Sequence, residues 1–76
     1  MPHPLVEYVY IVERSEDGSY WAYVPDLQGC ATTAETLEDI PRMISEAVQL
    51  YLSYFRDRNE PLPTVRTRSG VVVAYR

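Results

Sequence analysis

Residues 20–37 constrain the fold of this chain more than any other segment. The segment opens on an aromatic strand, and Pro25 ends that strand because proline lacks a backbone N–H for the hydrogen-bonded ladder. Asp26 and Gly29 favour a turn, since glycine adopts positive φ without a steric penalty. Thr36 follows in the position of a helix N-cap. A strand, a tight turn and a helix start in close succession predict a small domain that combines a sheet with a helix.

The other strands are predicted from their composition and from the turn residues between them. Residues 4–14 are rich in Val, Ile and Tyr, which are typical of strands. Residues 15–18 read Ser-Glu-Asp-Gly, a turn with glycine where positive φ is easily adopted, so the next strand returns as a hairpin. The predicted strands cover residues 4–14, 19–24, 29–33 and 65–75, and Gly70 is expected to bend the last of them.

A one-sided helix of about five turns is predicted to start at Thr36 and to lie on the sheet. Asp39 occupies the N3 position, as in a shorter relative of the capping box. Pro41 falls at about N5, where a small bend or a tightened first turn is expected. Prolines at positions 61 and 63 end the helical part. The apolar stripe consists of Leu37, Ile40, Ile44, Ala47, Tyr51 and Tyr54, and Val48 and Phe55 widen it.

This β-β-β-α-β order predicts an α+β fold in a single domain over residues 1–76, with one long helix packed on one face of an antiparallel sheet. The first two strands carry apolar side chains on both faces, but one helix covers only one face. Trp21 and Tyr23 therefore need another cover, and the sequence predicts a homo-oligomer, most simply a twofold dimer, with these two residues in the interface. A chain of 76 residues has a small core, which also favours association.

Charge and composition exclude several classes of function. The net charge is −4, from eleven acids and seven arginines, so specific binding of nucleic acid by this chain alone is not expected. An acidic protein is better suited to a basic protein partner. Cys30 is the only cysteine, which excludes an internal disulfide and fits a reducing compartment. The sequence has no apolar run of membrane-spanning length and no signal-peptide pattern, and a cytoplasmic protein is expected.

The segment Tyr-Trp-Ala-Tyr-Val-Pro-Asp-Leu-Gln-Gly-Cys, followed by Thr36-Leu37 at the helix start, resembles the signature of the HicB-type antitoxins. The resemblance covers roughly residues 6–63, and its structural motif is carried by Pro25, Asp26, Gly29, Cys30 and Thr36. Gln28 replaces the usual proline of the family, and Ala34 stands where glycine is common. Pro41 also departs from the typical helix start. These differences affect turn geometry more than they affect any active site.

The resemblance implies a partial RNase H-like domain that neutralises a small, basic, mRNA-cleaving toxin of the HicA type. In the family this domain is often followed by a ribbon-helix-helix or helix-turn-helix module that binds the operator. The sequence up to Arg76 does not contain such a module, so DNA binding is not carried over. Glu38 and Glu46 are eight residues apart on the predicted helix and form the candidate surface for a basic partner.

The alternative is a stand-alone RNase H-like nuclease or a ligand-binding relative. Nuclease chemistry needs carboxylates that converge on two metal ions. Glu7, Asp26, Asp39 and Glu46 are the candidates, but Asp26 and Asp39 fit structural roles in a turn and a helix cap. His3 lies between two prolines and lacks an orienting acid, and Cys30 is expected to be a buried, inert thiol. The sequence therefore predicts no catalytic residue, no metal site and no cofactor.

Overall fold

A computed structural model describes residues 5–76, so His3 and the first residue of the predicted strand at residues 4–14 lie outside the described part. Three antiparallel strands form one sheet in the order β1-β2-β3. One long helix follows them, which confirms the predicted α+β fold. The elements are β1 (Ile11–Arg14), β2 (Tyr20–Tyr23), β3 (Ala31–Ala34), a 3₁₀ turn (Leu37–Asp39) and α1 (Ile40–Asp57).

The first and last residues of β2 are tyrosines, and each of them pairs with a residue of β1 and a residue of β3. Tyr23 pairs with Ile11 of β1 and with Ala31 of β3, while Tyr20 pairs with Arg14 and Ala34 at the other end. The β1–β2 turn is closed by the backbone N–H of Ser15, which donates to the carbonyl of Ser19 over 2.8 Å. The predicted hairpin over these two strands is therefore present.

Two consecutive tight turns connect β2 to β3. The N–H of Leu27 donates to the carbonyl of Val24 over 3.0 Å, with Pro25 at the second position of that turn. The N–H of Cys30 then donates to the carbonyl of Leu27 over 2.9 Å. Gly29 sits at the third position of this second turn with φ of 84°. Leu27 lies between the turns with 1% of its surface exposed, so the connection is anchored in the core.

The helix begins differently from the prediction. Thr36 has the extended backbone of a cap residue, but its hydroxyl donates to the Asp39 carboxylate over 3.0 Å and does not cap a backbone N–H. The predicted capping by the Thr36 side chain is therefore wrong. The 3₁₀ turn delays the start of α1 to Ile40 and so places Pro41 in the first turn of this helix. A backbone N–H has no intrahelical acceptor in the first turn, so proline loses no hydrogen bond there. The predicted N5 position of Pro41 is therefore wrong, because the helix was counted from Thr36, whereas the predicted tightened first turn is confirmed by the 3₁₀ turn.

The core lies between α1 and the face of the sheet that presents Ala22. Ala22 is fully buried in the middle of β2, and Ile40, Ile44 and Leu52 of α1 are buried in the same cluster. Leu37 and Tyr54 were predicted to face the sheet, but they are 51% and 50% exposed. Leu37 precedes α1 in the 3₁₀ turn, which changes its angle around the axis, and Tyr54 instead packs with Arg58, whose guanidinium carbon lies 3.7 Å from the ring centroid.

Two predicted strands differ from the observed ones because a strand needs a neighbour for its ladder. β1 starts at Ile11 and not at residue 4, since its partner β2 ends at Tyr23, two residues before Pro25. No strand forms over residues 65–75, although their composition favours one. The N–H groups of Arg66 and Thr67 donate to a side chain, and Val71 to Val73 are almost completely exposed. Among residues 5–76, no helix combines the length and the apolar character needed to cross a membrane.

Gly29→Val should lower the free energy of unfolding by at least about 1 kcal/mol, because a branched L-residue is strained at positive φ. A Cβ at this position would meet no atom within 4 Å, so the cost comes from the backbone conformation and not from a clash. Gly29→Asn is the matched control, since asparagine tolerates this conformation better. Urea denaturation of the three proteins gives the comparison, and equal midpoints would show that the turn does not constrain the fold.

Thr36→Ala should change the free energy of unfolding by no more than about 0.5 kcal/mol, because the hydroxyl contacts only an exposed carboxylate. A side-chain cap on a backbone N–H would instead be worth about 1 kcal/mol. The same urea titration distinguishes the two values. A loss as large as that of a true cap would mean that the Thr36 hydroxyl reaches the helix backbone in solution.

Candidate protein-binding surface

An aromatic pair occupies the face of the sheet that points away from α1. Trp21 and Tyr23 stack with their ring centroids 4.7 Å apart and an angle of 24° between the rings. They share this face because alternate residues of a strand point to the same side, while Ala22 between them points into the core. Both side chains remain partly exposed. The predicted candidate interface residues are therefore adjacent and accessible on one face.

Glu13 binds the polar ends of both rings. The register places it opposite Trp21, whose Nε1 donates to Oε1 of Glu13 over 3.2 Å. The hydroxyl of Tyr23 donates to Oε2 over 3.5 Å. We call Glu13, Trp21 and Tyr23 the sheet plate. Sequence reasoning found the two aromatic residues but missed Glu13, although its position two residues after Ile11 in an alternating strand placed it on the same face.

Asp26 attaches the C-terminal part of the chain to the turn between β2 and β3. Its Oδ2 accepts the backbone N–H groups of Arg66 and Thr67 over 2.9 and 3.0 Å, and its Oδ1 accepts the Thr67 hydroxyl over 2.8 Å. The N–H of Thr67 contributes most, followed by that of Arg66, to holding the pKa of Asp26 below its usual range. The predicted role as a hydrogen-bond acceptor is present, but the donors are about 40 residues away and not in the turn.

A second hydrogen bond holds the same segment at Pro63, three residues before Arg66. The hydroxyl of Tyr8 donates to the carbonyl of Pro63 over 2.6 Å. Burial, and then the negative charge of Asp26, raise the pKa of the Tyr8 hydroxyl. A groove of about 380 Å³ is lined by residues 7–9 on one side and residues 65–69 on the other. We call residues 63–67, held by Tyr8 and Asp26, the clamped segment.

The start of the helix carries a surplus of negative charge. Residues 35–46 contain four acids and one base. Arg42 lies 3.2 Å from Glu46 and 3.9 Å from Asp39, so it compensates these two carboxylates in part. Glu38 belongs to the 3₁₀ turn and is not in contact with Arg42 in the described ion pairs. Glu38 lies in the 3₁₀ turn and Glu46 in α1, so uniform α-helical spacing does not hold over the whole stretch between them.

Cys30 packs inside the core cluster with 5% of its surface exposed and without a disulfide. Burial raises the pKa of its thiol, so the unreactive protonated form predominates at neutral pH. The predicted burial of the thiol is confirmed, and its low reactivity stays a prediction. Pro25, the remaining residue of the predicted motif, is exposed at the turn and contributes its fixed φ to the chain reversal.

The four carboxylates considered for metal-dependent chemistry occupy separate places. Asp26 accepts three hydrogen bonds, Asp39 accepts one from Thr36, and Glu46 pairs with Arg42. Glu7 lines the groove beside residues 65–69. Within residues 5–76, no group of three or more His, Cys, Asp or Glu side chains is arranged to hold a metal ion. Each of three of these acids already has a structural partner.

Comparison with known proteins finds one family over most of the chain. A family model described as the HicB-like antitoxin of bacterial toxin–antitoxin systems matches residues 8–73. A UPF0150 protein of Synechocystis sp. is 32% identical over 62 residues, which cover 82% of this chain and 78% of that protein. A UPF0150 protein of Thermoplasma acidophilum is 34% identical over 58 residues, covering 76% and 84%. One of Archaeoglobus fulgidus is 38% identical over 47 residues, covering 62% and 68%.

Acidification should release the clamped segment. The folded-state pKa of Asp26 is lowered, so the bonds are complete above the usual carboxyl pKa of about 3.9 and are lost as the pH falls through the folded-state value. Amide hydrogen exchange at Arg66 and Thr67, corrected for its intrinsic pH dependence, should show protection at pH 7 that disappears in this acidic range. Asp26→Ala should abolish the protection at pH 7.

Asp57→Ala is the control, since it removes an exposed carboxylate near the end of α1 and leaves Asp26 intact. This variant should keep the pattern of the unmodified protein. Equal protection in the Asp26→Ala variant and the unmodified protein would show that Asp26 does not hold the segment.

Proposed function

Because this chain belongs to the HicB-like antitoxin family of bacterial toxin–antitoxin systems, we propose that it binds and neutralises a small, basic, HicA-like toxin that cleaves mRNA. The observation that carries the proposal is the family match over residues 8–73, which includes the sheet, the helix and the clamped segment. The net charge of −4 supports a basic partner. The function is protein binding, and no bond is made or broken by this chain.

Neutralisation in this proposal is steric and electrostatic. A toxin that cleaves RNA needs a basic face to hold the phosphate backbone, so an acidic protein of similar size competes directly with RNA for that face. Opposite charges accelerate the encounter of the two proteins, and close packing then keeps the RNA away. Glu38 and Glu46 are the proposed partner residues, and Glu38 has more effect on encounter because Arg42 offsets the charge of Glu46.

In this proposal the sheet plate contacts a second copy of the chain and not the toxin. Two adjacent aromatic rings with a bound carboxylate suit a contact between copies of the chain, because aromatic residues contribute large apolar areas to interfaces and their polar ends stay bonded. Assigning Trp21 and Tyr23 to self-association leaves the acidic helix start free for the toxin. The two surfaces therefore allow an oligomer to bind toxin without competition between the contacts.

Reversing the charges of Glu38 and Glu46 to Lys should slow association with the toxin by about tenfold at low salt and weaken its dependence on salt. The partner is the purified product of the neighbouring toxin-like reading frame, and stopped-flow fluorescence at two ionic strengths gives the rates. The control changes Glu16 and Glu60 to Lys, which alters the net charge equally at two exposed positions outside the helix start. Equal slowing in both double variants would indicate an effect of net charge alone.

The nuclease alternative predicts metal-dependent cleavage of RNA or of RNA–DNA hybrids, whereas the binding proposal predicts no cleavage. The purified protein, with magnesium or manganese, is incubated with RNA and with RNA–DNA hybrids, and its co-expression with the toxin is scored by growth. We expect no turnover and restored growth, and Asp26→Asn should leave neutralisation largely intact. Turnover that disappears in both Asp26→Asn and Glu7→Gln would replace the binding proposal with the nuclease.

A further inference from the structure

Residues 71–75, with the sequence Val-Val-Val-Ala-Tyr, form an apolar segment without contacts of its own. The exposures of Val71, Val72 and Val73 are 97%, 88% and 93%, and Tyr75 is fully exposed. β-Branched and aromatic residues favour extended backbone and pleated packing. Four of the five residues 71–75 are of these types, and five residues equal the common length of a strand, so the segment is suited to a ladder that it does not make within residues 5–76.

The base of this segment is fixed to the body of the protein. Asp26 holds Thr67 through its N–H and its hydroxyl, and three residues, 68–70, connect Thr67 to Val71. Four Cα–Cα steps reach at most about 14 Å when extended. The segment therefore leaves from a defined point beside the turn between β2 and β3, where residues 65–69 also line a groove with residues 7–9, and it reaches only surfaces close to this point.

The strand that starts directly after this turn has an open edge. β3 is the last strand of the sheet, so within the described residues the outer N–H and C=O groups of Ala31–Ala34 have no ladder partner. Its four residues are two alanines and two threonines, without the charges, prolines or bulges that usually protect an edge from another chain. The other edge strand, β1, carries Glu13 and Arg14 and is less suited to pairing.

We propose that residues 71–75 of one copy of this chain add as a strand to the β3 edge of a second copy, and that the second copy returns the same contact. Donor and acceptor occur on one chain, so a second copy supplies both of them. Both also flank the same turn, at residues 25–29. A twofold axis near this turn therefore allows the two short connections, residues 68–70 of each copy, to pass from one copy to the other side by side. Strand addition is a common mode of recognition in which backbone hydrogen bonds supply affinity.

This inference does not depend on the proposed toxin, because it concerns the chain alone. It also gives the composition of residues 71–75 a role, since an exposed apolar strand without a partner is otherwise an aggregation hazard. Each exchanged strand pairs with one open β3 edge, and this contact covers part of the apolar surface of the strand itself. The resulting dimer has a contact at the sheet edges, separate from the sheet plate formed by Glu13, Trp21 and Tyr23.

The first experiment removes ladder donors without touching the core. Val72→Pro with Val73→Pro eliminates one N–H from each side of the donor strand, and both side chains lie in solvent. Val72→Thr with Val73→Thr is the control, because threonine keeps the N–H and the β-branch. Sedimentation velocity should show a micromolar dimer for the unmodified protein and the threonine variant, and a rise of at least about tenfold in the dissociation constant for the proline variant.

The second experiment locates the acceptor by disulfide formation. Thr33→Cys combined with Val73→Cys should give a covalent dimer on oxidation, while Glu13→Cys combined with Val73→Cys, which tests the β1 edge, should give much less. Cys30 is buried and common to both variants. Far-UV circular dichroism checks that each variant keeps its helix and sheet.

Four outcomes would overturn the proposal. One is a monomeric unmodified protein, and a second is a cross-link within one chain and not between two. The third is a dissociation constant that the proline variant leaves unchanged while the combined Trp21→Ala and Tyr23→Ala variant raises it, which would leave the sheet plate as the only contact between copies. A monomer that requires residues 71–75 to bind the toxin would also reject a second copy as the occupant.

Discussion

The burial of Leu27 between two tight turns is the constraint on which the rest of this structure depends. Leu27 is almost inaccessible because the turn before it, with Pro25, and the turn after it, with Gly29, fold the chain onto the core on both sides. This fixes where β3 starts, because the second turn ends at Cys30, directly before the strand. It also presents the carboxylate of Asp26 to the N–H groups of Arg66 and Thr67, so a local turn determines the path of a distant segment.

The surfaces that result have different physical character, which suits a protein that binds more than one partner. The sheet plate is aromatic and has a bonded carboxylate, the helix start is acidic, and residues 71–75 are apolar and extended. Electrostatic attraction is long-ranged and acts on the rate of encounter, whereas strand pairing and aromatic packing act only on contact. The family membership and the proposed contacts are consistent with an antitoxin that associates with itself through apolar surfaces and with its toxin through charge.

Particular residues show which inferences from sequence succeed. Pro25, Gly29 and Ser15 to Gly18 predicted turns that are present, because turn preferences depend on the φ values each residue allows. Thr36 was placed correctly as a cap residue, but its hydroxyl donates to a neighbouring carboxylate, and sequence spacing does not decide between this bond and accepting one from a backbone N–H. Leu52 was missed in the helix stripe, while Leu37 was included wrongly because the switch from 3₁₀ to α-helical turns rotates its side chain.

The sequence by itself determined the local structure of this protein: the hairpin, the double turn, the single long helix and the acidic balance. These depend on interactions between residues that are close along the chain, and each residue type carries the relevant preference. Only the tertiary structure decided that Asp26 binds Arg66 and Thr67, that Glu13 bridges Trp21 and Tyr23, and that residues 65–75 form no strand in the chain described here. A hydrogen bond across 40 residues, or a ladder, needs a partner whose position is set only after the core has formed.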